Sequence, residues 1–270
     1  MSLSQRVVDW AGSIGADLVA AVPTEELEGV TRGYRPEEFV PGARSVVVIA
    51  LKMVDAVWDR LQGKKDFFSD VLRNYLASYN YPRLDYLAIC TARFLEDEGY
   101  SAFPVDGPSA GRVRRLGADG DDIATPLQRA LLSQGKGIWD TPFAFKPIAA
   151  MAGIGAIGKN SLVISPEYGP RVRFVCVVTD AELERTRPAA VGKPGEICGS
   201  CHLCIDSCPV GALSFDERSS RPIIDRAACN IYMDYCQCAL CQAVCPLGKK
   251  HRKKNGASPA ISAEAIDPPA

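Results

Sequence analysis

The apolar and polar residues of this chain follow two different periods. Apolar side chains recur at helical spacing over Ser4–Ser13 and Arg83–Glu98, which predicts two amphipathic helices. Nearly continuous apolar runs predict buried strands at Asp17–Val22, Ser45–Leu51 and Arg171–Thr179. Because helices and strands alternate along the chain, we expect a layered α/β or α+β architecture.

Changes in composition divide the chain into three parts. A charged, proline-bearing stretch at 182–195 separates the apolar periods from a cysteine-rich segment, and from residue 249 onward the sequence is polar and contains three prolines. We therefore predict an α/β cofactor and substrate domain over residues 1–190, a cluster-binding domain over 191–250 and a disordered tail over 251–270.

Charge and composition argue against nucleic acid and membranes as partners of this chain. The 31 Lys and Arg residues nearly balance the 32 Asp and Glu residues, so we expect no broad basic surface for nucleic acid or anionic lipid. Asp9 and Asp17 interrupt the N-terminal apolar runs, which excludes the apolar core of a signal peptide, and no apolar run is long enough to cross a membrane. We expect a cytoplasmic protein with no membrane partner.

The cysteines are concentrated near the C-terminus. Nine of the eleven lie between residues 198 and 245, at spacings typical of metal sites rather than of disulfides. The first four form the bacterial ferredoxin run C-x2-C-x2-C-x3-C-P, in which three cysteines bind one 4Fe-4S cluster and the fourth binds another. These four are Cys198, Cys201, Cys204 and Cys208. A pair of four-cysteine zinc sites is the weaker alternative, because a tetrahedral zinc site has no use for the extra cysteine of this run.

A second, partial run supplies further thiolates. It consists of Cys238, Cys241 and Cys245, and the cross-over rule of the ferredoxin pattern assigns Cys245 to the first cluster. The second cluster then lacks one ligand, for which Cys229 and Cys236 compete. Because the one-residue gap between Cys236 and Cys238 suits a single cubane poorly, we predict that Cys229 is the ligand.

A glycine-rich loop precedes the cysteines. Gly153, Gly155 and Gly158 have the spacing of a dinucleotide-binding motif, but a helix is predicted before them and a strand after them, which reverses the order that this motif requires. We instead predict that the glycines let the backbone pass close to a flat cofactor or a neighbouring strand, with a simple tight turn as the alternative. The polar contacts to such a cofactor would come from Lys159, Asn160 and Ser161.

Asp140 is the candidate acid. It lies in an otherwise apolar segment that runs to Pro147, where burial would raise the pKa of its carboxyl group and let it donate a proton. The equal alternative is a helix cap for the turn that begins at Thr141 and Pro142.

Three stretches resemble a known family. KPIAAMAGIGAIGKNSLVISPEYGPRVRF and CGSCHLCIDSCPVGAL, followed by CNIYMDYCQCALCQAVCPLGKK, are similar to epoxyqueuosine reductase and its smaller double-cluster relatives. The resemblance implies a nitroreductase-like α/β domain that binds cobalamin, followed by a bacterial ferredoxin-like module with two 4Fe-4S clusters. It implies two ligand sets, the first being Cys198, Cys201, Cys204 and Cys245, and the second being Cys208, Cys229, Cys238 and Cys241.

The same resemblance implies a cobalamin-dependent oxidoreductase. Electrons from an external low-potential donor of the ferredoxin or flavodoxin type would pass through the clusters to cobalamin, and a small electrophilic substrate would be reduced while Asp140 supplies a proton. Only His202 and His251 are present, so we expect cobalamin in its base-off form, without an imidazole from the protein. The helical-repeat domain of the tRNA enzyme is missing from the sequence, so we expect that tRNA is not a partner.

The alternative is an electron-transfer or reductive-activation protein without a substrate of its own. In that hypothesis the basic run Lys249–Lys254 docks on an acidic partner, although a solvated tail is the simpler explanation of that run. The large domain ahead of the clusters favours the enzyme, because an electron carrier needs the cluster domain alone.

Overall fold

The computed structural model describes residues 1–27, 35–105, 143–190 and 192–248. The chain forms two compact units, and each unit combines three separate stretches. The first unit contains residues 1–51, 76–154 and 173–190, and the second contains residues 52–75, 155–172 and 191–270. Asp140 and the predicted tail lie outside the described residues, and so do His251 and the basic run Lys249–Lys254.

Short helices and short strands alternate along the described ranges. The strands are β1 (Leu18–Pro23), β2 (Ser45–Lys52), β3 (Ala102–Val105), β4 (Ala156–Ile157), β5 (Val163–Ile164), β6 (Val172–Thr179), β7 (Leu213–Asp216) and β8 (Arg221–Ile224). The α-helices are α1 (Leu3–Ser13), α2 (Pro36–Phe39), α3 (Asp55–Trp58), α4 (Phe67–Tyr75), α5 (Tyr81–Asp97), α6 (Phe145–Met151), α7 (Leu203–Asp206), α8 (Arg226–Cys236) and α9 (Leu240–Ala243). None of these helices is both long and apolar enough to span a bilayer.

A four-stranded sheet in the order β1-β2-β6-β3 forms the centre of the first unit. Strand β1 pairs antiparallel with β2, and β3 pairs antiparallel with β6. The Arg44 N–H donates to the Thr179 carbonyl, and the Met53 N–H donates to the Arg171 carbonyl, both at 2.8 Å, so β2 and β6 also run antiparallel. The registers place Leu18 opposite Ala50 and Ala102 opposite Thr179. The mixed α/β class predicted from the sequence is confirmed, and its sheet is antiparallel.

Helices α1 and α5 supply the apolar side chains that cover this sheet. Val7 of α1, Ile49 of β2, Leu87 of α5 and Val177 of β6 belong to one buried cluster. The Ser2 side chain accepts a hydrogen bond from the Gln5 N–H and caps the start of α1. The helices and strands predicted from these apolar periods are confirmed, because most of the periodic positions lie in the core, although Trp10 of α1 is 39% exposed.

The second unit consists of short helices and two hairpins. Strands β4 and β5 form one antiparallel hairpin, and β7 and β8 form the other. Helix α8 begins where the Asp225 carboxylate accepts a hydrogen bond from the Ala228 N–H at 3.0 Å. It ends at Gln237, which adopts a left-handed backbone conformation with φ of 48°.

Two glycines allow the second unit's backbone to cross itself at close range. Gly169 has φ of 61°, and a Cβ atom there would lie 2.1 Å from the Leu247 carbonyl oxygen. Gly248 has φ of 80°, and a Cβ atom there would lie 2.1 Å from the Tyr168 carbonyl carbon. Only glycine fits both the backbone conformation and the available space at these positions.

Candidate metal centre

Four thiols of the first predicted ligand set line one cavity. The cavity has a volume of about 70 Å³ and is bounded by Cys198, Cys201, Cys204 and Cys245. The rest of its lining is mostly apolar and consists of Asn160, Ile164, Ile197, Leu203, Pro246 and Leu247. Four cysteine thiolates in apolar surroundings are the donor set that a 4Fe-4S cluster uses.

Short turns and helices bring these four thiols together. Cys198 ends the 3-10 turn Glu196–Cys198, and Cys204 lies on α7. Burial, together with the nearby charges of Cys198 and Cys245, raises the pKa of the Cys204 thiol to about 11. Cys204 and Cys245 are 9% and 8% exposed, so both sulfurs lie well inside the unit.

The other thiols of the second predicted set lie near enough to Cys241 to affect its pKa. Burial raises the pKa of the Cys241 thiol, and the nearby charges of Cys238, Cys229, Cys204 and Cys208 add to this effect. Cys238, Cys229 and Cys208 belong to the predicted second set, and Cys204 belongs to the first set. The Cys208 sulfur also accepts a hydrogen bond from the Ala212 N–H at 3.2 Å, a contact of the kind that stabilises cluster thiolates.

Cys236 lies beside Cys238. Its side chain is 1% exposed. A hydrogen bond with the Cys238 thiol, reinforced by one with the Tyr232 hydroxyl, lowers the pKa of Cys236 although burial opposes this change. The choice of Cys229 rather than Cys236 as the fourth ligand of the second set stays a prediction.

Two buried side chains hold the segment that contains Cys241 and Cys245. Trp58 Nε1 donates a hydrogen bond to Gln242 Oε1 at 3.0 Å. Arg171 Nη2 donates to the Ala243 carbonyl oxygen at 3.1 Å. Both contacts lie within four residues of a predicted ligand, so the core of the second unit fixes the backbone between the two cysteines.

Arg171 is itself held by two carboxylates. Its Nη1 lies 2.7 Å from Asp55 Oδ1, and its Nη2 lies 3.2 Å from Asp59 Oδ1. Burial tends to raise the pKa of Asp55, but hydrogen bonds from Arg171 and Lys52 outweigh burial and lower it. Asp55 is therefore held as a carboxylate by the cations beside it.

Helix α6 precedes the glycine-rich loop, the loop contains the two-residue strand β4, and strand β5 follows it, so the predicted reversal of the dinucleotide-binding order is confirmed. A Cβ atom on Gly155 would lie 2.3 Å from the Ile164 carbonyl oxygen, and one on Gly158 would lie 2.8 Å from Ile164 Cγ1. Gly153 has φ of 84°, and a Cβ atom there would lie 2.2 Å from the Pro188 carbonyl oxygen. A neighbouring stretch of the chain therefore explains each glycine, and contact of the loop with a flat cofactor stays a prediction.

The polar residues that follow the glycines lie against the cysteine segment. The Lys159 N–H donates to Cys198 Sγ at 3.4 Å, and Asn160 Nδ2 donates to the Cys241 carbonyl oxygen at 3.4 Å. Lys159 and Asn160 are 2% and 4% exposed, and Ser161 adopts a left-handed backbone conformation with φ of 59°. Contact of these three residues with a second cofactor stays a prediction.

The Lys159 side chain meets two residues of the cluster segment. Its Nζ lies 2.8 Å from His202 Nε2 and 3.1 Å from Glu217 Oε1. The hydrogen bond from Lys159, followed by the contact with His202, lowers the pKa of Glu217. Sequence reasoning missed Glu217, because this contact spans 58 residues and no local pattern marks it.

Comparison with known families supports an iron-sulfur function for the cysteine segment. Residues 197–249 match the family described as 4Fe-4S dicluster domain. This match confirms the prediction of an iron-sulfur module in that part of the chain.

Two curated relatives extend the similarity beyond the cysteines. Epoxyqueuosine reductase of Bacillus subtilis (strain 168) is 33% identical in an alignment 294 residues long, gaps included, that covers 92% of this chain and 64% of that protein. A tetrachloroethene reductive dehalogenase of Desulfitobacterium hafniense is 34% identical over 121 residues, which cover 38% of this chain and 22% of that protein. The resemblance seen in the sequence is confirmed, because the chain has homologues among these two kinds of oxidoreductase. The chain spans less than two thirds of the length of either relative.

Two solved structures share the fold. An epoxyqueuosine reductase bound to an epoxyqueuosine-modified tRNA-Tyr stem loop has a TM-score of 0.51 at 21% identity, covering 96% of this chain and 68% of that one. A reductive dehalogenase described with a mechanism for B12-dependent dehalogenation has a TM-score of 0.58 at 20% identity, covering 89% of this chain and 31% of that one.

The expectation that tRNA is not a partner is wrong. A homologous enzyme with the same fold has been solved with a modified tRNA stem loop, and this chain covers 68% of it. A near-neutral net charge is a sum over the whole surface and does not exclude local phosphate contacts.

Proposed function

We propose that this homologue of the epoxyqueuosine reductases and reductive dehalogenases is an iron-sulfur oxidoreductase that passes low-potential electrons through two 4Fe-4S clusters to a corrinoid. The observation that best supports the proposal is the convergence of four thiols, those of Cys198, Cys201, Cys204 and Cys245, on one apolar cavity. A second group of thiols around Cys241 supports the second cluster.

The donor chemistry fits the clusters. Each cubane needs four thiolates, and two sets of four are available. Backbone N–H groups of Lys159 and Ala212 point at the sulfurs of Cys198 and Cys208. Such N–H···S bonds stabilise negative charge on a cluster, so they favour its reduced state. The first cluster would be held by Cys198, Cys201, Cys204 and Cys245, and the second by Cys208, Cys229, Cys238 and Cys241.

The corrinoid belongs to the proposed function. The relative solved as a B12-dependent dehalogenase supports it. When bound, a corrinoid supplies a cobalt centre that cycles between oxidation states. We assign it to a nitroreductase-like domain over residues 1–190, ahead of a ferredoxin-like domain over 191–250, with residues 52–75 and 155–172 of the former belonging to the same compact unit as the cysteine segment. Because the chain contains only two histidines, both outside that domain, the cobalt would lack a protein imidazole.

The proposed reaction is the reductive cleavage of a carbon–heteroatom bond. The two curated relatives are named for an epoxide and for a chlorinated ethene, and both substrates contain such a bond at an electrophilic carbon. Two electrons enter from a low-potential donor in either case. At a carbon–chlorine bond, chloride leaves with the bonding pair and one proton replaces it on carbon. At an epoxide, two protons are taken up, the oxygen leaves as water and a carbon–carbon double bond remains. Asp140 is our candidate for the proton donor.

Metal analysis of anaerobically purified protein tests this proposal. We expect about eight irons and eight sulfides per chain, because two cubanes contain that number. Added cobalamin should bind and give a cobalt(II) electron paramagnetic resonance signal without nitrogen superhyperfine splitting. Zinc in place of iron after anaerobic reconstitution would refute the cluster assignment, and a nitrogen-split cobalt signal would refute base-off binding.

Two substrates then test the reaction. The loaded protein and a low-potential reductant should convert either an epoxyqueuosine-bearing tRNA stem loop or tetrachloroethene, with two electrons consumed for each product. Intact clusters without corrinoid uptake, and without conversion of either substrate, would instead support the electron-transfer protein.

A further inference from the structure

We propose that Lys159 raises the reduction potential of the first 4Fe-4S cluster by holding a buried positive charge against His202, the residue next to the predicted ligand Cys201, and that Glu217 offsets part of this charge. The inference rests on the first cluster of the proposed function. It assigns an electrostatic role to a residue at the end of the glycine-rich loop, where sequence reasoning predicted contact with a flat cofactor.

The backbone fixes where the Lys159 side chain begins. The Lys159 N–H donates to Cys198 Sγ at 3.4 Å, so the Cα atom of this lysine lies within a few ångströms of a predicted ligand sulfur. The Gly195 N–H donates to the Ile157 carbonyl oxygen at 2.7 Å and ties the turn before Cys198 to strand β4. The loop and the cluster segment are therefore joined by hydrogen bonds on both sides of Lys159.

The ammonium group lies inside the second unit. The Lys159 side chain is 3% exposed, and Nζ lies 5.0 Å from the centre of the Phe215 ring. Water can screen a charge at this depth only weakly. An aromatic face also favours a cation, so the environment accommodates the ammonium rather than expelling it.

The contacts of the Lys159 ammonium decide how much of its positive charge is offset by the Glu217 carboxylate. Nζ lies 2.8 Å from His202 Nε2, which accepts a hydrogen bond from the ammonium when the imidazole proton is on Nδ1. Glu217 Oε1 accepts another at 3.1 Å. The Glu217 side chain is 65% exposed, so solvent screens its negative charge more than it screens the buried positive charge. The cluster segment therefore experiences a net positive field from this pair.

The sign of the effect follows from the charge of the cluster. One-electron reduction adds a negative charge to the cubane, and a nearby positive charge stabilises that state more than the oxidised one. Removing the ammonium should lower the potential. Removing the carboxylate should raise it, because the ammonium then acts without its partner.

A structural role alone predicts a different pattern. If Lys159 only ties the loop to strand β7 and its hairpin, then Lys159→Met and Glu217→Gln should both lower stability, and the potential should not move in opposite directions. Opposite shifts in the two variants therefore separate the electrostatic role from simple packing.

Redox titration followed by electron paramagnetic resonance tests the inference on the fully loaded protein. In Lys159→Met, at a fixed solution potential, the ratio of reduced to oxidised first cluster should fall about tenfold, which is 59 mV for one electron. Lys159→Arg should keep most of the wild-type potential, because the positive charge remains. Glu217→Gln should raise the ratio, by less than tenfold because this carboxylate is exposed. The second cluster provides an internal reference in every titration.

Asp216→Asn is the matched control. It removes one negative charge from the same hairpin, but the Asp216 carboxylate bonds to Ser219 and the Arg218 N–H rather than to Lys159. It should leave the potential of the first cluster unchanged. Unshifted potentials in both Lys159→Met and Glu217→Gln, or shifts in the same direction, would overturn the inference while leaving the proposed function standing. Failure of the wild-type protein to bind a first cluster would overturn both.

Discussion

The guanidinium group of Arg171 donates a hydrogen bond to Asp55 at 2.7 Å, and the arginine side chain is 1% exposed. This ion pair lies under the backbone that contains the last two predicted cluster ligands, because the same guanidinium also bonds to the Ala243 carbonyl oxygen. A charge pair at this depth is costly to break, since the remaining partner keeps an uncompensated charge.

Replacing Arg171 should therefore destabilise the protein strongly. In Arg171→Met, we expect the free energy of unfolding to fall by about 3 kcal/mol or more, since Asp55 and Asp59 lose their buried partner. Arg44→Met is the matched control, because Arg44 and Glu182 form an ion pair with side chains 59% and 83% exposed. Its loss should cost less than about 1 kcal/mol. Denaturant unfolding of the two variants checks this, and equal losses would contradict it.

The same pair predicts a pH dependence. Asp55 has a pKa below its ordinary value of 3.8, because hydrogen bonds from Arg171 and Lys52 outweigh the opposing effect of burial. The charged carboxylate thus contributes stability that is present above pH 3.8 and is lost as the pH falls through the lower folded-state pKa. Wild type and Asp55→Asn should differ in unfolding free energy at pH 6, and this difference should narrow at pH 3. A constant difference would show that the Asp55 charge does not contribute.

The close backbone crossing at Gly169 predicts that adding a single methyl group there lowers the free energy of unfolding substantially. In Gly169→Ala the new Cβ would lie 2.1 Å from a backbone oxygen. Because both atoms belong to the backbone or are attached directly to it, the clash can be relieved only by moving one of the two backbone segments. Gly42→Ala is the control, because Gly42 also has a positive φ, 75°, but has no atom within 4 Å of the new Cβ. Thermal unfolding should show that Gly169→Ala costs about 1–3 kcal/mol more than Gly42→Ala, the usual range for overpacking. Similar costs would mean that backbone strain alone is involved.

Ligand variants test the assignment around Cys241. Cys229→Ser should reduce the iron content from about eight to about four per chain, because one cubane loses a thiolate. Cys236→Ser should keep both clusters, although it removes the thiol that contacts Cys238. Iron analysis and the spectrum of the reduced protein measure both outcomes. Cluster loss in Cys236→Ser together with intact clusters in Cys229→Ser would reverse the assignment.

Much of the first unit could be predicted from local sequence. Helices α1 and α5 and strands β2 and β6 follow dense apolar periods, and the structure has all four within a few residues of the predicted bounds. The π-helical turn Leu76–Asn80 between α4 and α5 could not be predicted. Pro82 lies in the first turn of α5 and has no N–H to donate to the preceding turn. Apolar spacing does not show where the hydrogen bonds change from the α-helical to the π-helical pattern.

The candidate site also has features that local sequence predicts and features that it does not. Cysteine spacing is a local property, so the amino-acid sequence alone is enough to propose two sets of thiols. The partners of Lys159 could not be predicted, because His202 and Glu217 lie 43 and 58 residues away along the chain. The antiparallel direction of the sheet also depends on long-range pairing, which the alternation of helices and strands leaves open.

The unit that contains all the candidate cluster ligands is assembled from three separated stretches, which include residues 52–75 and 155–172 as well as the cysteine segment. A gene fragment that encodes only the cysteine motifs would leave out Trp58 and Arg171, whose side chains hold residues 242 and 243. Inserting the cysteine segment alone into another protein would therefore not transfer its supporting residues, since these alternate along the chain with residues of the other unit.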